Sequence, residues 1–292
     1  MSTLPARPLR TAVVQHAARP LDLAGNARAA AESAARAAAS GARLVILPEL
    51  HLCAYDLAGL ARSLATAAEG KRAGRDGRGA DGPVLYADRA RRVTDDRLAP
   101  LARTAARHRL TVLVGAAVRH PDGRLTNSLL SVGPTGDTTV AYDKQHLWHD
   151  QEAALFTAGE AGPVLLTVEG WSLGPGICYD ISFPEHARAA ALAGAHAVLY
   201  PSAFATGTEH RAAVYGAARA LENTVYAVFA NTVGGPADRP CEGSSAVHAP
   251  DGTTLARAAS GRDALLLADL TPEGLADIRS HLRMLQECRD AR

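Results

Sequence analysis

The chain has 292 residues, a formal net charge of +1 and 4 cysteines. That length suffices for a large buried core, and near-neutrality excludes the basic footprint of a nucleic-acid or anionic-membrane binder. Cys53, Cys178, Cys241 and Cys288 lie far apart with no Cys-x-x-Cys pairing, which argues against a disulfide scaffold or zinc ribbon and for a reducing, cytoplasmic setting.

In chain order, Met1 to Arg10 is polar and proline-bearing, unlike a signal peptide, and no apolar run reaches the length of a membrane span. Arg10 to His16 predicts a short buried strand. Asn26 to Ser40 predicts an alanine-rich helix with Arg28, Glu32 and Arg36 on one stripe, closed by Gly41. Leu44 to Leu47 is a second apolar strand that ends at Pro48 and Glu49. A carboxylate at the end of such a strand is rarely placed without a reason. Residues 70–82 alternate glycine with charge and predict a flexible surface insertion. Ala99 to Arg109 then predicts a helix and Leu110 to Val118 a strand. Leu125 to Val132 and Thr138 to Tyr142 predict a strand pair joined through Gly133 to Asp137.

The second half repeats the rhythm. Val164 to Val168 and Trp171 to Ile177 predict strands, the latter delivering Cys178 to a polar turn before a helix from Glu185 to Gly194. A thiol there faces a helix N-terminus, whose dipole favours thiolate. His196 to Tyr200 predicts a strand, Glu209 to Asn223 a helix and Thr224 to Ala230 a strand. Ser244 to His248 and Thr254 to Arg257 flank a Pro-Asp-Gly turn, and Ala264 to Asp269 is the last strand. Pro272 to Arg292 is amphipathic, with Leu275, Ile278, Leu282 and Leu285 on the side that docks on the domain or on a second subunit. Alternating strands and helices without a linker predict one continuous α/β domain, and the hairpin-like pairs make its sheets mixed. No dinucleotide fingerprint or phosphate loop follows any strand, so no cofactor is implied.

Three segments place ionisable residues at strand ends: Leu47-Pro-Glu49, Tyr142-Asp-Lys144-Gln-His with Glu152 further on, and Ile177-Cys178-Tyr-Asp. Each alone reads as a structural or solvated group. His146 and His149 with Asp150 match no strong metal-ligand spacing. No histidine stands in a recognisable partner context for Cys178. Glu185, Arg188 and Glu222 read as an ion-pair network behind the site. Trp148 and Phe156 bracket Glu152, and Tyr179, Phe204 and Ala205 follow strand ends, so all are candidates to line a pocket.

In this order the segments resemble the nitrilase superfamily of carbon–nitrogen hydrolases, in its amidase-like branch. The resemblance continues through Cys178 to Glu185, Arg188, Gly194 to Ser202, Arg219 to Asn223, Asn231, Gly243-Ser-Ser and Pro250-Asp-Gly252, and it runs from about Thr11 to Asp269. It implies a four-layer αββα sandwich with mixed sheets in a single domain, residues 1–292, with a core of about 10–270 and residues 271–292 as a C-terminal segment. It also implies a triad of Glu49 as general base, Lys144 as the cation and Cys178 as nucleophile. Glu152, Tyr179, Trp148 and Phe204 then become substrate-positioning residues, with the Tyr179 backbone N–H as an oxyanion donor.

The expected substrate is a small linear amide. An N-carbamoyl amino acid is the alternative, and a nitrile or a silent binding role ranks lower. No metal or other cofactor, no nucleic acid and no membrane is implied, and the protein is expected to be a homo-oligomer, dimer or higher. True nitrilases usually carry tryptophan and glutamate after the nucleophile, where this chain has Tyr179 and Asp180. Asp143, where relatives often carry arginine, is expected to alter charge near the pocket mouth. His196 replaces a commonly acidic residue. Free negative charge from Asp150, Glu152 or Asp180 would suit a cationic amide.

Overall fold

The computed structural model describes residues 3–72 and 82–290. The first strands in chain order are β1 (Leu9–Gln15), β2 (Leu44–Ile46), β3 (Val84–Tyr86), β4 (Thr111–Arg119), β5 (Leu125–Val132) and β6 (Thr138–Asp143). They are followed by β7 (Leu166–Val168), β8 (Trp171–Pro175), β9 (Ala197–Ser202) and β10 (Tyr226–Asn231). A short β11 (Val233–Gly234) and β12 (Cys241–Glu242) precede β13 (Ala246–His248), β14 (Thr254–Arg257) and β15 (Ala264–Leu270). The helices are α1 (Leu23–Ala39), α2 (Leu57–Arg72), α3 (Ala99–His108) and α4 (His149–Ala153). The second half adds α5 (Pro184–Ala193), α6 (Glu209–Asn223), α7 (Pro272–His281) and α8 (Met284–Asp290).

Among the described residues the first sheet runs β15-β1-β2-β4-β5-β6 with β3 on β4, and the second runs β14-β13-β10-β9-β8-β7. Both are mixed: β1, β2 and β4 pair in parallel, while β4–β5 and β5–β6 are antiparallel. Period-two alternation divides each strand between two cores. In β1 and β2, Leu9, Val13, Leu44 and Ile46 face the second sheet, where Leu173, Leu199 and Val228 meet them. Their neighbours Ala12, Val14 and Val45 face outward against Ala27, Ala30 and Ala34 of α1 and Leu101 and Ala105 of α3. Ala187 and Ala190 of α5 with Ala212 and Ala220 of α6 cover the second sheet. The result is an αββα sandwich of one domain, in which alanine lets the helices approach the sheets closely.

The sequence expectations hold for the major elements and miss in three places. α2 and β3 are absent from the sequence expectations, although Leu57, Leu60 and Leu64 stand at helical spacing; Leu60 is buried, and Leu57 and Leu64 pack on the cluster that holds Leu50, Cys53 and Phe156. The proposed insertion at 70–82 begins inside α2, and its residues 73–81 lie outside the described residues. The strand leading to Cys178 stops at Pro175, and Cys178 opens a 3-10 turn, Cys178–Ser182, that separates it from α5. At the C-terminus Leu275 is fully buried and α8, with Leu285, packs beside α5 and α6, so this segment docks on its own domain. Among the described residues no helix is long and apolar enough to cross a membrane.

Candidate active site

Glu49 lies just past the C-terminal end of β2, an interior strand flanked by β1 and β4. Gly115 of β4 makes its placement possible. The Gly115 N–H donates to Pro48 O at 3.2 Å and its carbonyl accepts from Leu52 N at 2.9 Å. A Cβ at Gly115 would collide with the backbone of Pro48, Glu49 and Leu50. The carboxylate is thereby held in the interior, with its side chain fully buried.

Lys144 follows the last residue of β6, where its N–H donates to Asn127 O at 2.9 Å. Its ammonium, also fully buried, donates to Glu49 Oε1 at 2.7 Å and lies 2.8 Å from each oxygen of Glu152. Asn127 of β5 donates from Nδ2 to Glu49 Oε1 at 2.8 Å. Glu152, in α4, further accepts from Tyr55 Oη at 2.6 Å and from Trp148 N at 2.6 Å. An isolated buried charge would be untenable, so a cation between two carboxylates with neutral donors around them is the arrangement that survives desolvation. Burial opposes the Lys144 charge, but Glu49, Cys178 and Glu152 outweigh it and raise the ammonium's pKa. The same burial is the largest influence on Glu49 and raises its carboxyl; Lys144 opposes this and Glu152 adds to it. Glu49 Oε2 is left buried with no hydrogen-bond partner in the geometry, and the Cys178 thiol is close enough to bear on the carboxyl as a donor.

Cys178 is 5% exposed and adopts φ +49°, a left-handed conformation that a residue with a Cβ takes at some cost. The turn is held from beneath. Asp180 accepts from Ile177 N at 2.8 Å and Tyr142 Oη at 2.7 Å on one oxygen, and from His146 N at 2.9 Å on the other. His146 Nδ1 lies 2.7 Å from that second oxygen, and the imidazole stacks on Phe183 at 3.7 Å. Arg219 of α6 clamps the far side, donating to Ile181 O at 2.8 Å and Ser182 O at 3.1 Å. Burial would raise Asp180, but His146, His186, the Ile177 N–H and Tyr142 together hold it below the usual carboxylate range.

The thiol was expected to be depressed by a helix terminus, and the structure reverses that. Burial first, and then the Glu49 charge, push Cys178 well above its ordinary value, with Lys144 and the Ala203 backbone pulling the other way. Burial and the Glu49 charge both favour the thiol over the thiolate. Cys178 borders a cavity of about 80 Å³ with Trp148, Tyr179, Ser182, Phe204, Ala205, Thr208, Arg211 and Arg239. Trp148 packs edge-on against Tyr179 at 4.8 Å, which fixes one wall.

The structure therefore brings Glu49, Lys144, Glu152 and Cys178 together and sets Trp148, Tyr179 and Phe204 around the cavity. Glu152 does not line it, because both its oxygens are engaged by Lys144, Tyr55 and Trp148. Phe156 packs in the core with Leu50 and Cys53. Asp143 is not near a pocket mouth; it is buried, accepting from Ser128 Oγ at 2.7 Å and paired with Arg91 at 3.0 Å. The ion pair behind the site is Arg219–Glu222 at 2.9 Å, whereas Arg188 donates to the Glu222 backbone and Glu185 is exposed. Among the described residues no group of His, Cys, Asp or Glu is arranged to hold a metal. Tyr55, Asn127, Arg211 and Arg239 were not anticipated. Only Asn127 left a sequence signal, an amide inside a strand that is buried along nearly its whole length.

A buried thiol over a buried carboxylate–ammonium pair, on an αββα sandwich, defines a class that the comparisons then identify. The chain belongs to the carbon–nitrogen hydrolase family, whose model matches residues 10–280, and it is a carbon–nitrogen hydrolase of the nitrilase superfamily. It is 33% identical over 289 residues to a protein of Pseudomonas protegens described as a hydrolase in the pqqF 5' region, covering 99% of this chain and 92% of that one. It is 36% identical over 199 residues to the deaminated glutathione amidase of Escherichia coli O157:H7, covering 66% of this chain and 74% of the relative. Among solved structures it resembles an amidase mutant from Nesterenkonia sp. AN1 in complex with butyramide, with a TM-score of 0.73, 28% identity, and coverage of 94% of this chain and 95% of that one.

Proposed function

We propose that the protein hydrolyses a small linear amide to a carboxylate and ammonia through a thioester on Cys178. The observation that carries this reading is the Cys178 thiol on a cavity wall beside a buried Glu49 whose second oxygen is unpartnered and whose first is held by Lys144. Glu49 takes the thiol proton as the sulfur attacks the amide carbonyl. The Lys144 ammonium and the Tyr179 backbone N–H stabilise the oxyanion. Glu49 returns the proton to the departing nitrogen, the C–N bond breaks and ammonia leaves. Water then gives a proton to Glu49 and attacks the thioester; the C–S bond breaks, and the proton returns to sulfur as the carboxylate is released. Glu152 contributes by orienting Lys144, while Trp148, Tyr179 and Phe204 position the acyl chain.

The test is ammonia release across linear amides, N-carbamoyl amino acids and nitriles, with Cys178→Ala beside each. The reading expects turnover of an amide that the substitution abolishes. Turnover retained by Cys178→Ala, or ammonia from nitriles alone, would overturn it.

A further inference from the structure

We infer that a small cavity beside Glu49 is a one-water site, and that His51 holds there the water that hydrolyses the Cys178 thioester. This rests on the thioester reading above and adds a positioning residue to its second half. The cavity has a volume of about 10 Å³, and Glu49, His51, Tyr55, Thr232, Arg239 and Cys241 supply its polar lining. That is room for a single water. Among the described residues, three of these side chains carry a buried atom with no hydrogen-bond partner: Glu49 Oε2, His51 Nδ1 and Arg239 Nη1. The other polar groups are engaged or weak. Tyr55 Oη donates to Glu152 at 2.6 Å, Thr232 Oγ1 donates to His16 O at 3.0 Å, and the Cys241 thiol is a poor donor. Three unpaired buried groups around one cavity are unfavourable, and a water, which both donates and accepts, satisfies all three at once. A cation there would be opposed by Arg239 and an anion by Glu49, so the ligand is neutral.

His51 suits this task because it does not compete for the water's proton. It is 1% exposed, and burial first, then the His16 imidazole at 5.9 Å, push its pKa down to about 3. The ring is therefore neutral, with one acceptor and one donor. With the ring proton on Nε2, Nδ1 accepts one O–H of the water while Glu49 Oε2 accepts the other. Arg239, its guanidinium stacked over the Tyr55 ring at 4.6 Å, donates to one lone pair and leaves the second to attack. Glu49 links this cavity to the nucleophile. The Cys178 thiol bears on the same carboxyl as a donor, and Arg239 borders both this cavity and the one that holds Cys178. Once the sulfur is acylated it no longer donates to Glu49, and the water becomes the proton source at Oε2. The water gives one proton to Glu49 as its oxygen bonds to the acyl carbon. The C–S bond then breaks, the proton passes to sulfur, and the acyl group leaves as the acid.

The experiment acylates the protein with 4-nitrophenyl butyrate, whose nitrophenolate burst reports acylation, and divides the thioester between water and added hydroxylamine. Wild type, His51→Phe, His51→Gln and Cys178→Ala are compared, with unfolding midpoints measured beside them. His51→Phe fills the same space and removes both ring nitrogens. It should leave the burst rate close to wild type and raise the ratio of hydroxamate to butyrate by roughly 10- to 100-fold, the loss expected when a nucleophile is misplaced. His51→Gln, which keeps an acceptor, should recover part of the hydrolysis. An unchanged ratio in the folded variants, or a burst slowed as much as hydrolysis, would overturn the role of His51. The second arm is a crystal structure of the wild type, which does not depend on turnover. One ordered water within hydrogen-bond distance of Glu49 Oε2 and His51 upholds the site, and a dry cavity overturns it. A burst that Cys178→Ala retains would strike the thioester reading and with it the water's role, while the electron density still decides the site.

Discussion

Asp180 and Glu49 are both buried beside Cys178, and they are built in opposite ways. Asp180 has donors on both oxygens, from Tyr142, His146 and Ile177, and its pKa falls despite burial. Glu49 has donors on one oxygen only, from Lys144 and Asn127, and its pKa rises. A saturated carboxylate has nothing left to do but hold a turn. A half-saturated one can still gain or lose a proton beside a thiol. The same desolvation acts on both, and the count of donors decides which can only hold a turn and which suits the proposed base.

The largest break in that contrast should come from Lys144→Met. It leaves Glu49 and Glu152 buried without their cation and should cost about 3–5 kcal/mol at neutral pH. The loss should shrink as pH falls, because a carboxyl with a raised folded pKa destabilises only while ionised, and Glu49 is relieved once it takes up a proton. Urea unfolding at neutral and acid pH measures both parts.

Glu49→Gln removes the proposed base and keeps the shape. It should lower kcat by roughly 10²- to 10⁴-fold with little change in unfolding midpoint. In the wild type the acid limb of kcat/KM should lie above the ordinary glutamate value of about 4.3, because activity needs the ionised form of a carboxyl whose pKa is raised. An acid limb at or below that value would contradict the half-saturated description.

Asp180→Asn should act on the scaffold, costing about 1.5–3 kcal/mol for the lost charged acceptor. Asp180 has a folded pKa below its unfolded value of about 3.9, so its stabilisation is whole above that value and is lost as pH falls through the lower folded one. The substitution should therefore flatten acid unfolding in that window. Acid unfolding unchanged in the variant would show that Asp180 is not the saturated anchor described.

The sequence picked out the ionisable residues that the fold brings together better than it picked out their surroundings. Glu49, Lys144 and Cys178 stand at strand ends, where ionisable groups are conspicuous, and Lys144 is one of only two lysines in a chain that otherwise uses arginine. The strands were legible from their apolar runs. α2 was not: only Leu57, Leu60 and Leu64 mark its buried side, and alanine, glycine and charge fill the rest. Asn127, Tyr55 and Arg239 come from three separate segments that only the folded sheet brings together. Arg211 was hidden among many arginines of similar context. The direction of the Cys178 shift was misread for a related reason: local sequence shows a nearby helix, whereas burial and the Glu49 charge come from distant parts of the chain.

The most direct test of the account is capture of the intermediate on Cys178. Wild-type protein mixed with a turned-over amide and quenched in acid should show, by intact mass and peptide mapping, the acyl group on Cys178, a mass equal to the amide less ammonia. Hydroxylamine should remove it. Steady turnover with no adduct after rapid quench, or an adduct on Cys53, Cys241 or Cys288, would contradict the claim that Glu49 activates Cys178 as the nucleophile.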